Sequence, residues 1–212
     1  MRISIVKQSL REISGSVKLG LTRFVKYGQG APKPMERIVV PVIDCNQALI
    51  NSISRNETGK IMGGEWDAEL VDVDSITKIE ICRRHWVDGL SWKDAGAYDN
   101  MMDIIAKRGG KQADGCRTLD DVIARYDRLD KIFETVQSER RLRSVKEIDP
   151  KAIGEAGGIY IHIDRSGRPV FGLGGAHRLA IARILKLDSF PAQIGVVHPG
   201  GVRKWRTRYS AG

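Results

Sequence analysis

The sequence has few cysteines and histidines and no long apolar run, and each shortage excludes a class of protein. No stretch of about 18 consecutive apolar residues occurs, so we expect no membrane-spanning helix. The first residues lack the apolar segment and the small-residue cleavage site of a secretory signal. Three dispersed cysteines form neither a disulfide framework nor zinc-ligand spacing, and four dispersed histidines suggest no metal cluster. These absences predict a cytoplasmic protein with reduced thiols.

The charge of this 212-residue chain is concentrated at its two ends. Residues 1–37 carry eight Lys or Arg against two acids, and residues 200–212 carry four Lys or Arg with no acid. Of the net charge of +9, the body therefore holds about −1. Because a nucleic-acid groove usually concentrates positive charge on the folded domain, we expect a small anionic ligand in the body. The basic ends could make weak contact with a polyanion or an anionic membrane surface.

Residues 1–36 read as a basic amphipathic helix followed by a linker. Large apolar residues recur at intervals of three and four, which predicts one stripe of a helix; they are Val6, Leu10, Ile13, Val17, Leu21 and Phe24. Gly28 and Pro32 then end the helix. The stripe either packs on the protein's own body or lies on an anionic membrane. Gly15 and Gly20 favour packing, since they weaken an isolated helix.

The rest of the chain divides into residues 37–140, residues 141–199 and a basic tail at residues 200–212. The first segment contains a β-branched strand and three helices, predicted at 37–43, 75–85, 98–108 and 119–136. Pro41 places the strand at a sheet edge or marks its end. The second segment contains a hairpin, a helix and a last strand, predicted at 159–163, 169–173, 177–187 and 190–197. The predicted fold class is α+β, with a small mixed-sheet core and a helical accessory region.

One strand-to-helix junction carries the features of a phosphate site. Gly174-Gly175-Ala176 follows the second hairpin strand and precedes a helix that opens with His177-Arg178. The first amides of a helix have no internal partner and lie at the positive end of its dipole. Glycines remove side chains that would keep a phosphate away from these amides. Arg178 would add a planar cation, and His177 a donor or proton carrier.

Two better-known phosphate motifs do not match this junction. The run from Gly172 begins like a dinucleotide fingerprint, but His177 stands where its third glycine belongs. No Lys-Ser or Lys-Thr pair follows a spaced glycine loop, which excludes a P-loop. The alternative to a phosphate cradle is a tight turn that exposes a His-Arg pair.

The segments at 145–150, 159–165, 170–187 and 190–197 together resemble the core of the ParB/sulfiredoxin superfamily. In that family a glycine and a His-Arg or Arg-Arg pair hold nucleotide phosphates, so the resemblance implies a cradle of Gly174, Gly175, Ala176, His177 and Arg178. Ala176 stands where sulfiredoxin has its reactive cysteine, which argues against sulfinic acid repair. About 15 residues follow the last core strand, so we expect no helix-turn-helix domain of the kind that partition proteins have, unless residues 75–137 supply it. Among the members of this family, the kinases that phosphorylate free serine fit this chain best.

The resemblance implies an ATP- or ADP-dependent phosphotransferase acting on a small hydroxyl compound with Mg²⁺, without a dedicated metal site in the protein. Such chemistry usually needs a carboxylate near the acceptor proton. The candidates are Glu36, the pair Glu65 and Asp67 around Trp66, and Asp164, with His177 as a further catalytic candidate. Alternatives are a nucleotide-gated nucleic-acid-binding or partition-type protein and a nucleotide-binding regulator without catalysis. The sequence leaves open whether the chain forms a homodimer.

Overall fold

The computed structural model describes residues 31–209, which form an α+β structure around one six-stranded mixed sheet. The strands are β1 (Arg37–Pro41), β2 (Gln47–Leu49), β3 (Leu70–Asp72), β4 (Ile159–Ile163), β5 (Pro169–Phe171) and β6 (Ser189–Val197). Their order across the sheet is β1-β6-β4-β5-β2-β3. The pairs β2·β5 and β4·β6 are parallel, whereas the other neighbours are antiparallel.

Six α-helices accompany the sheet within the described residues. They are α1 (Thr77–Trp86), α2 (Ala97–Lys107), α3 (Leu119–Glu139), α4 (Val145–Ile148), α5 (Ala176–Ile184) and α6 (Arg206–Tyr209). Helix α3 begins at the predicted cap, where the Thr118 hydroxyl accepts from the Asp121 amide and the Asp121 carboxylate accepts from the Thr118 amide. Such a capping box satisfies amides that a helix leaves unpaired. The α+β class and the three predicted accessory helices are confirmed.

The outer strand β1 and the hairpin β4–β5 also agree with the sequence pattern. β1 pairs only with β6 in the sheet order and ends at Pro41, so proline removes no donor from an inner strand. The isoleucines of β4 (159, 161 and 163) join the hydrophobic core. Tyr160 and His162 lie on the other face and are also buried. Both faces of this strand are therefore covered.

Residues 54–66 cover the face of the sheet on which Tyr160 and His162 lie. The Gly59 amide donates to the Gly195 carbonyl at 2.7 Å, and the Met62 amide donates to the Val197 carbonyl at 3.0 Å. Trp66 packs on the His162 ring with 5.7 Å between centroids. The segment from 37 to 72 therefore belongs to the sheet and its covering rather than to a separate accessory region.

The residues after β6 do not form only a polar tail. Val202, Trp205 and Tyr209 are buried, with Trp205 fully inaccessible, and α6 lies beside β1. Their spacing of three and four places them on one helical face, which explains why this short segment packs. Arg206 in the same segment pairs with Glu36 at 2.7 Å. The basic character of residues 200–209 therefore coexists with a docked apolar face.

Within residues 31–209, no helix has the length and apolar character needed to cross a membrane. The predicted amphipathic helix at residues 6–24 lies outside the described part of the chain, so its arrangement stays a prediction.

All three cysteines are expected to resist thiol reagents in the native protein. Cys45, Cys82 and Cys116 are buried. Burial raises the pKa of the Cys45 and Cys82 thiols to about 12 and raises that of Cys116. Because the thiolate is the reacting form, Ellman's reagent should label less than one thiol per chain at pH 8 and all three after unfolding in guanidinium. Rapid labelling of the native chain would contradict this packing.

Candidate ligand pocket at the start of helix α5

The junction between β5 and α5 is a left-handed turn that depends on glycine. Leu173 has φ of 66° and Gly175, the residue before α5, has φ of 79°. A β-carbon on Gly175 would lie 2.8 Å from the Ile159 Cα and 3.0 Å from the Gly158 carbonyl oxygen. The turn thus presses against β4 and directs the first amides of α5, at residues 176–178, away from the helix.

A cavity of about 430 Å³ opens beside this turn. Leu173 and Ala176 line it together with residues 75–78, where α1 begins. It lies at the carboxyl ends of the parallel strands β2 and β5, the edge where open α/β sheets bind ligands. Its volume falls within the roughly 300–1,000 Å³ of small-molecule sites. The position and size are those of a ligand pocket.

Two helix N-termini meet at this pocket without a capping side chain. Neither α1 nor α5 has a side-chain hydrogen bond at its N-cap, whereas α3 and α4 both have complete capping boxes. Helix α2 also lacks such a cap, but of its first turn only Asn100 lines the cavity, and the Asn100 amide already donates to the Gly96 carbonyl. Uncapped amides with a positive dipole end are suited to an anion. The pocket is therefore positively polarised from two sides.

Lys78 adds a full positive charge to the pocket lining. Its ammonium group donates to the Asp114 carboxylate, which also lies 4.0 Å from Arg125. Burial tends to raise the pKa of Asp114, but the hydrogen bond from Lys78 and the charges of Lys78 and Arg125 outweigh it, so the pKa is lowered. Asp114 is thus a carboxylate held between two cations, in a loop where its own φ is 49°.

His177 is buried behind the turn instead of reaching into solvent. Only 7% of the residue is exposed, and its ring meets Tyr126 edge to face at 5.6 Å between centroids. Burial, with the nearby charges of Lys78 and Arg125, lowers the pKa of His177 to about 3. The imidazole is therefore neutral near pH 7 and can offer a hydrogen bond but not a positive charge.

The helices around the pocket hold an unusual share of unsatisfied polar atoms. Among the described residues, eight buried side-chain nitrogens or oxygens have no hydrogen-bond partner. Four of them belong to this region: Asn100 Oδ1, Arg125 Nε, Tyr126 Oη and His177 Nε2. Asn100 lines the cavity itself. Because buried polar groups are normally paired, the Asn100 oxygen offers a hydrogen-bond acceptor to a polar group in the pocket.

Arg178, the predicted phosphate arginine, is engaged elsewhere. It donates to the Arg143 carbonyl and lies 3.9 Å from the Glu155 carboxylate, which is fully buried. Burial lowers the pKa of Arg178 and raises that of Glu155. Arg178 therefore joins α5 to the chain around α4. The structure places it next to the helix start without directing its guanidinium to the pocket.

Each of the four candidate carboxylates is already paired, and three of them lie around the turn between β4 and β5. Glu36 pairs with Arg206 before the outer strand β1. Glu65 and Asp67 both bind Arg165, at 2.9 and 2.6 Å. Asp164 accepts from the Ser166 and Arg168 amides and so closes the β4–β5 turn.

Of these carboxylates, Glu65 lines a cavity that adjoins the pocket. This cavity of about 320 Å³ is also lined by Trp66 and Glu69, and it shares Leu49 and Ile50 with the pocket. The two cavities are therefore neighbours across the end of β2.

Three residues at the turn were missed by sequence reasoning. Lys78 and Asn100 lie on predicted helices, and their approach to the glycine turn depends on how α1 and α2 pack. Arg55 lies over the Tyr160 ring at 4.9 Å and donates to Gln193 at 2.6 Å, so close to Gly174 that a β-carbon there would collide with it. One feature of the sequence could have indicated Lys78, namely its position in the first turn of a predicted helix. Arg55 lies in a three-residue 3-10 turn between irregular stretches, and no sequence pattern indicated its position.

The described residues contain no group of three His, Cys, Asp or Glu side chains that could hold a metal ion. They therefore offer no cage for the Mg²⁺ that the resemblance implies, and no residue is assigned to it. Comparison of the chain with protein-family models, curated proteins and solved structures finds no match, so the ParB/sulfiredoxin relationship rests on the sequence motif alone.

Proposed function

We propose that this protein binds a nucleoside phosphate in the pocket at the start of α5. One observation carries the proposal: the uncapped N-termini of α1 and α5, with Lys78 between them, converge on one cavity of about 430 Å³. This arrangement supports an anionic ligand of small-molecule size. A core of ParB/sulfiredoxin type, with its cradle at Gly174 to Arg178, is consistent with it and belongs to the same proposal.

In this proposal the phosphate is held mainly by backbone groups. The amides at 176–178 donate to its oxygens, while Gly174 and Gly175 allow it to approach. Lys78 turns from Asp114 to the phosphate, which supplies the charge that Arg178 does not bring. Asn100, which lines the pocket, offers a hydrogen bond to the remainder of the ligand, while neutral His177 packs behind the turn against Tyr126. Asp114 then keeps Arg125 as its partner.

The activity we propose is phosphoryl transfer to a small hydroxyl compound. The neighbouring cavity with Glu65 supports it, because an acceptor there would share the Leu49 and Ile50 rim with the nucleotide pocket. The Glu65 side chain is 76% exposed, so it could leave its ion pair with Arg165 and accept the proton of the acceptor hydroxyl. Mg²⁺ would be carried chiefly by the phosphate oxygens, as it commonly is in phosphotransferases.

A nucleotide-binding regulator without catalysis is the second candidate. It is favoured by the ion pairs that tie Glu36, Glu65 and Asp67 to arginines. Burial tends to raise the pKa of Asp67, but its hydrogen bonds with Arg165 outweigh this and lower the pKa, which makes Asp67 a poorer proton acceptor. Incubation with ATP, ADP or CTP, Mg²⁺ and a pool of hydroxyl metabolites separates the two by mass spectrometry. New phosphorylated products support the transferase, whereas binding without products supports the regulator.

Replacing Lys78 with methionine is expected to weaken nucleotide affinity by about 10- to 150-fold. A charged hydrogen bond contributes roughly 1.5–3 kcal/mol, and methionine keeps the length of the side chain without its charge. Titration calorimetry with ATP, ADP, CTP and tripolyphosphate measures the change. Lys93→Met is the matched control, because this exposed lysine lies outside the pocket lining. Equal affinity of the parent and the Lys78→Met variant, with folding intact, would remove the pocket assignment.

A further inference from the structure

A second concavity lies at the opposite end of α5, away from the ligand pocket. It is a groove of about 750 Å³ between the ends of α1 and α5 and the turn after β1. Its apolar lining consists of Val42, Ile43, Ile79, Val87, Ile184 and Leu187. Ile43 is 79% exposed and Val87 is 59% exposed. Two large aliphatic side chains this open to water, on the rim of one groove, indicate a surface that something covers.

We propose that residues 6–24 of this same chain cover this groove. Their sequence supplies a matching apolar stripe, with six large side chains spaced by three and four along about five turns of the predicted helix. An unpaired stripe of this size would itself be an exposed apolar patch of a kind that monomers rarely tolerate. Packing of the stripe into the groove therefore buries the apolar side chains of both.

The connection has the right length. The described chain begins at Ala31, whose carbonyl accepts from Arg206 at 2.7 Å, and β1 then runs from Arg37 to Pro41 towards the groove. Five strand residues span about 17 Å. Residues 25–30 can span about 20 Å when extended. The linker can thus return along β1 and place Phe24 at the groove rim by Ile43.

The charges are complementary as well. Residues 1–27 carry six Lys or Arg and only Glu12 as an acid. In the groove lining, Arg183 is bound to Asp74 and Arg83 to Asp88, which leaves exposed Glu80 and Asp188 against exposed Lys186 without an ion pair among the described residues, a balance of −1. The C-terminal ends of α1 and α5 add negative dipole ends at the same place. A basic segment is therefore favoured over an acidic or neutral one.

Covalent linkage favours this segment over a second copy of the chain. A short flexible linker holds its end at an effective concentration of about millimolar near the groove. A separate molecule at micromolar concentration must compete with that. The groove is then the binding surface of the N-terminal segment, and release of the segment would expose the apolar side chains of both.

Thiol protection tests the proposal in the full-length chain. The Ile43→Cys variant places one reactive thiol on the groove, because the three native cysteines are buried. Its reaction with N-ethylmaleimide is expected to be at least tenfold slower than in the same variant carrying Leu10→Asp and Val17→Asp, which disrupt the stripe. Val87→Cys gives an independent second position with the same expectation. Ile153→Cys, on a side chain that is 73% exposed outside the groove, should react equally fast in both backgrounds.

Each result either supports or overturns the assignment. Equally fast reaction at positions 43 and 87 with and without the two aspartates would show that the segment does not cover the groove. Protection that vanishes on dilution, with a dimer seen by sedimentation, would assign the groove to a second copy. Protection that requires anionic phosphatidylserine vesicles would assign the segment to a membrane surface. Either of the last two results also overturns the proposal.

Discussion

Replacing Gly175 with alanine is expected to lower the free energy of unfolding by about 2–5 kcal/mol. Two costs combine at this position. The backbone has φ of 79°, which costs an L-residue roughly 1–2 kcal/mol. The new β-carbon would also lie 2.8 Å from the Ile159 Cα, and a backbone atom of a buried strand cannot move aside as a flexible side chain would. Overpacking of this kind typically costs about 1–3 kcal/mol.

Gly89→Ala is the matched control for this prediction. Gly89 has φ of 76°, almost the same as Gly175, but a β-carbon there would meet nothing within 4 Å. The control should therefore lose only about 1–2 kcal/mol. Guanidinium unfolding of both variants measures the difference. If the two variants lose equal stability, the close approach of the turn to β4 is not the reason for glycine at 175.

Gly175→Ala should also affect the ligand more than Gly89→Ala does. Relief of the contact with Ile159 requires the turn to move away from β4, and the amides at 176–178 move with it. Nucleotide affinity should then fall even under conditions where the variant is fully folded. The turn already holds Leu173 at a φ of 66°, so it stores backbone strain of the kind found at binding sites.

The sequence predicted elements well where one local signal was sufficient. Helix α3 could be predicted because its apolar spacing is long and Thr118 caps it, so little tertiary information is needed. The β4–β5 hairpin could be predicted from alternating isoleucines and the turn around Gly167. Strands β2 and β3 could not, because each has only three residues, β2 pairs with β5 more than a hundred residues away, and β3 pairs only with β2.

The sequence predicts only those features of the candidate site that depend on local structure. The glycine turn is a local backbone requirement, so Gly174 and Gly175 carry a signal in the sequence. The directions of His177 and Arg178 are set by burial against Tyr126, Glu155 and the Arg143 carbonyl, which no local pattern reveals. Lys78 shows the converse, since a lysine in the first turn of a helix lines this pocket only because α1 packs beside α5.

Acid is expected to destabilise this protein well before its carboxylates are neutralised. Burial lowers the pKa of both His162 and His177 to about 3. His162 is fully inaccessible and its Nδ1 accepts from the Val196 amide at 2.9 Å, so the neutral ring is the form that fits. In the unfolded chain a histidine has a pKa of about 6.5. Between these values the unfolded chain binds up to two more protons than the folded chain, so stability falls as pH falls.

The predicted slope is about 2.7 kcal/mol per pH unit below pH 6, because each histidine contributes roughly 1.4 kcal/mol per unit. Burial raises the pKa of Glu155, so this residue takes up a proton in the folded state as pH falls and partly offsets the loss. Guanidinium midpoints from pH 7.5 to 4.5 should therefore drop steeply below about pH 6 and level off above pH 7. The His177→Gln variant, which removes one of the two buried imidazoles, should show about half of the parent slope. A parent protein whose stability is flat between pH 7 and 5 would mean that these histidines are not held neutral by burial, and the packing of His177 against Tyr126 would then have to be reassigned.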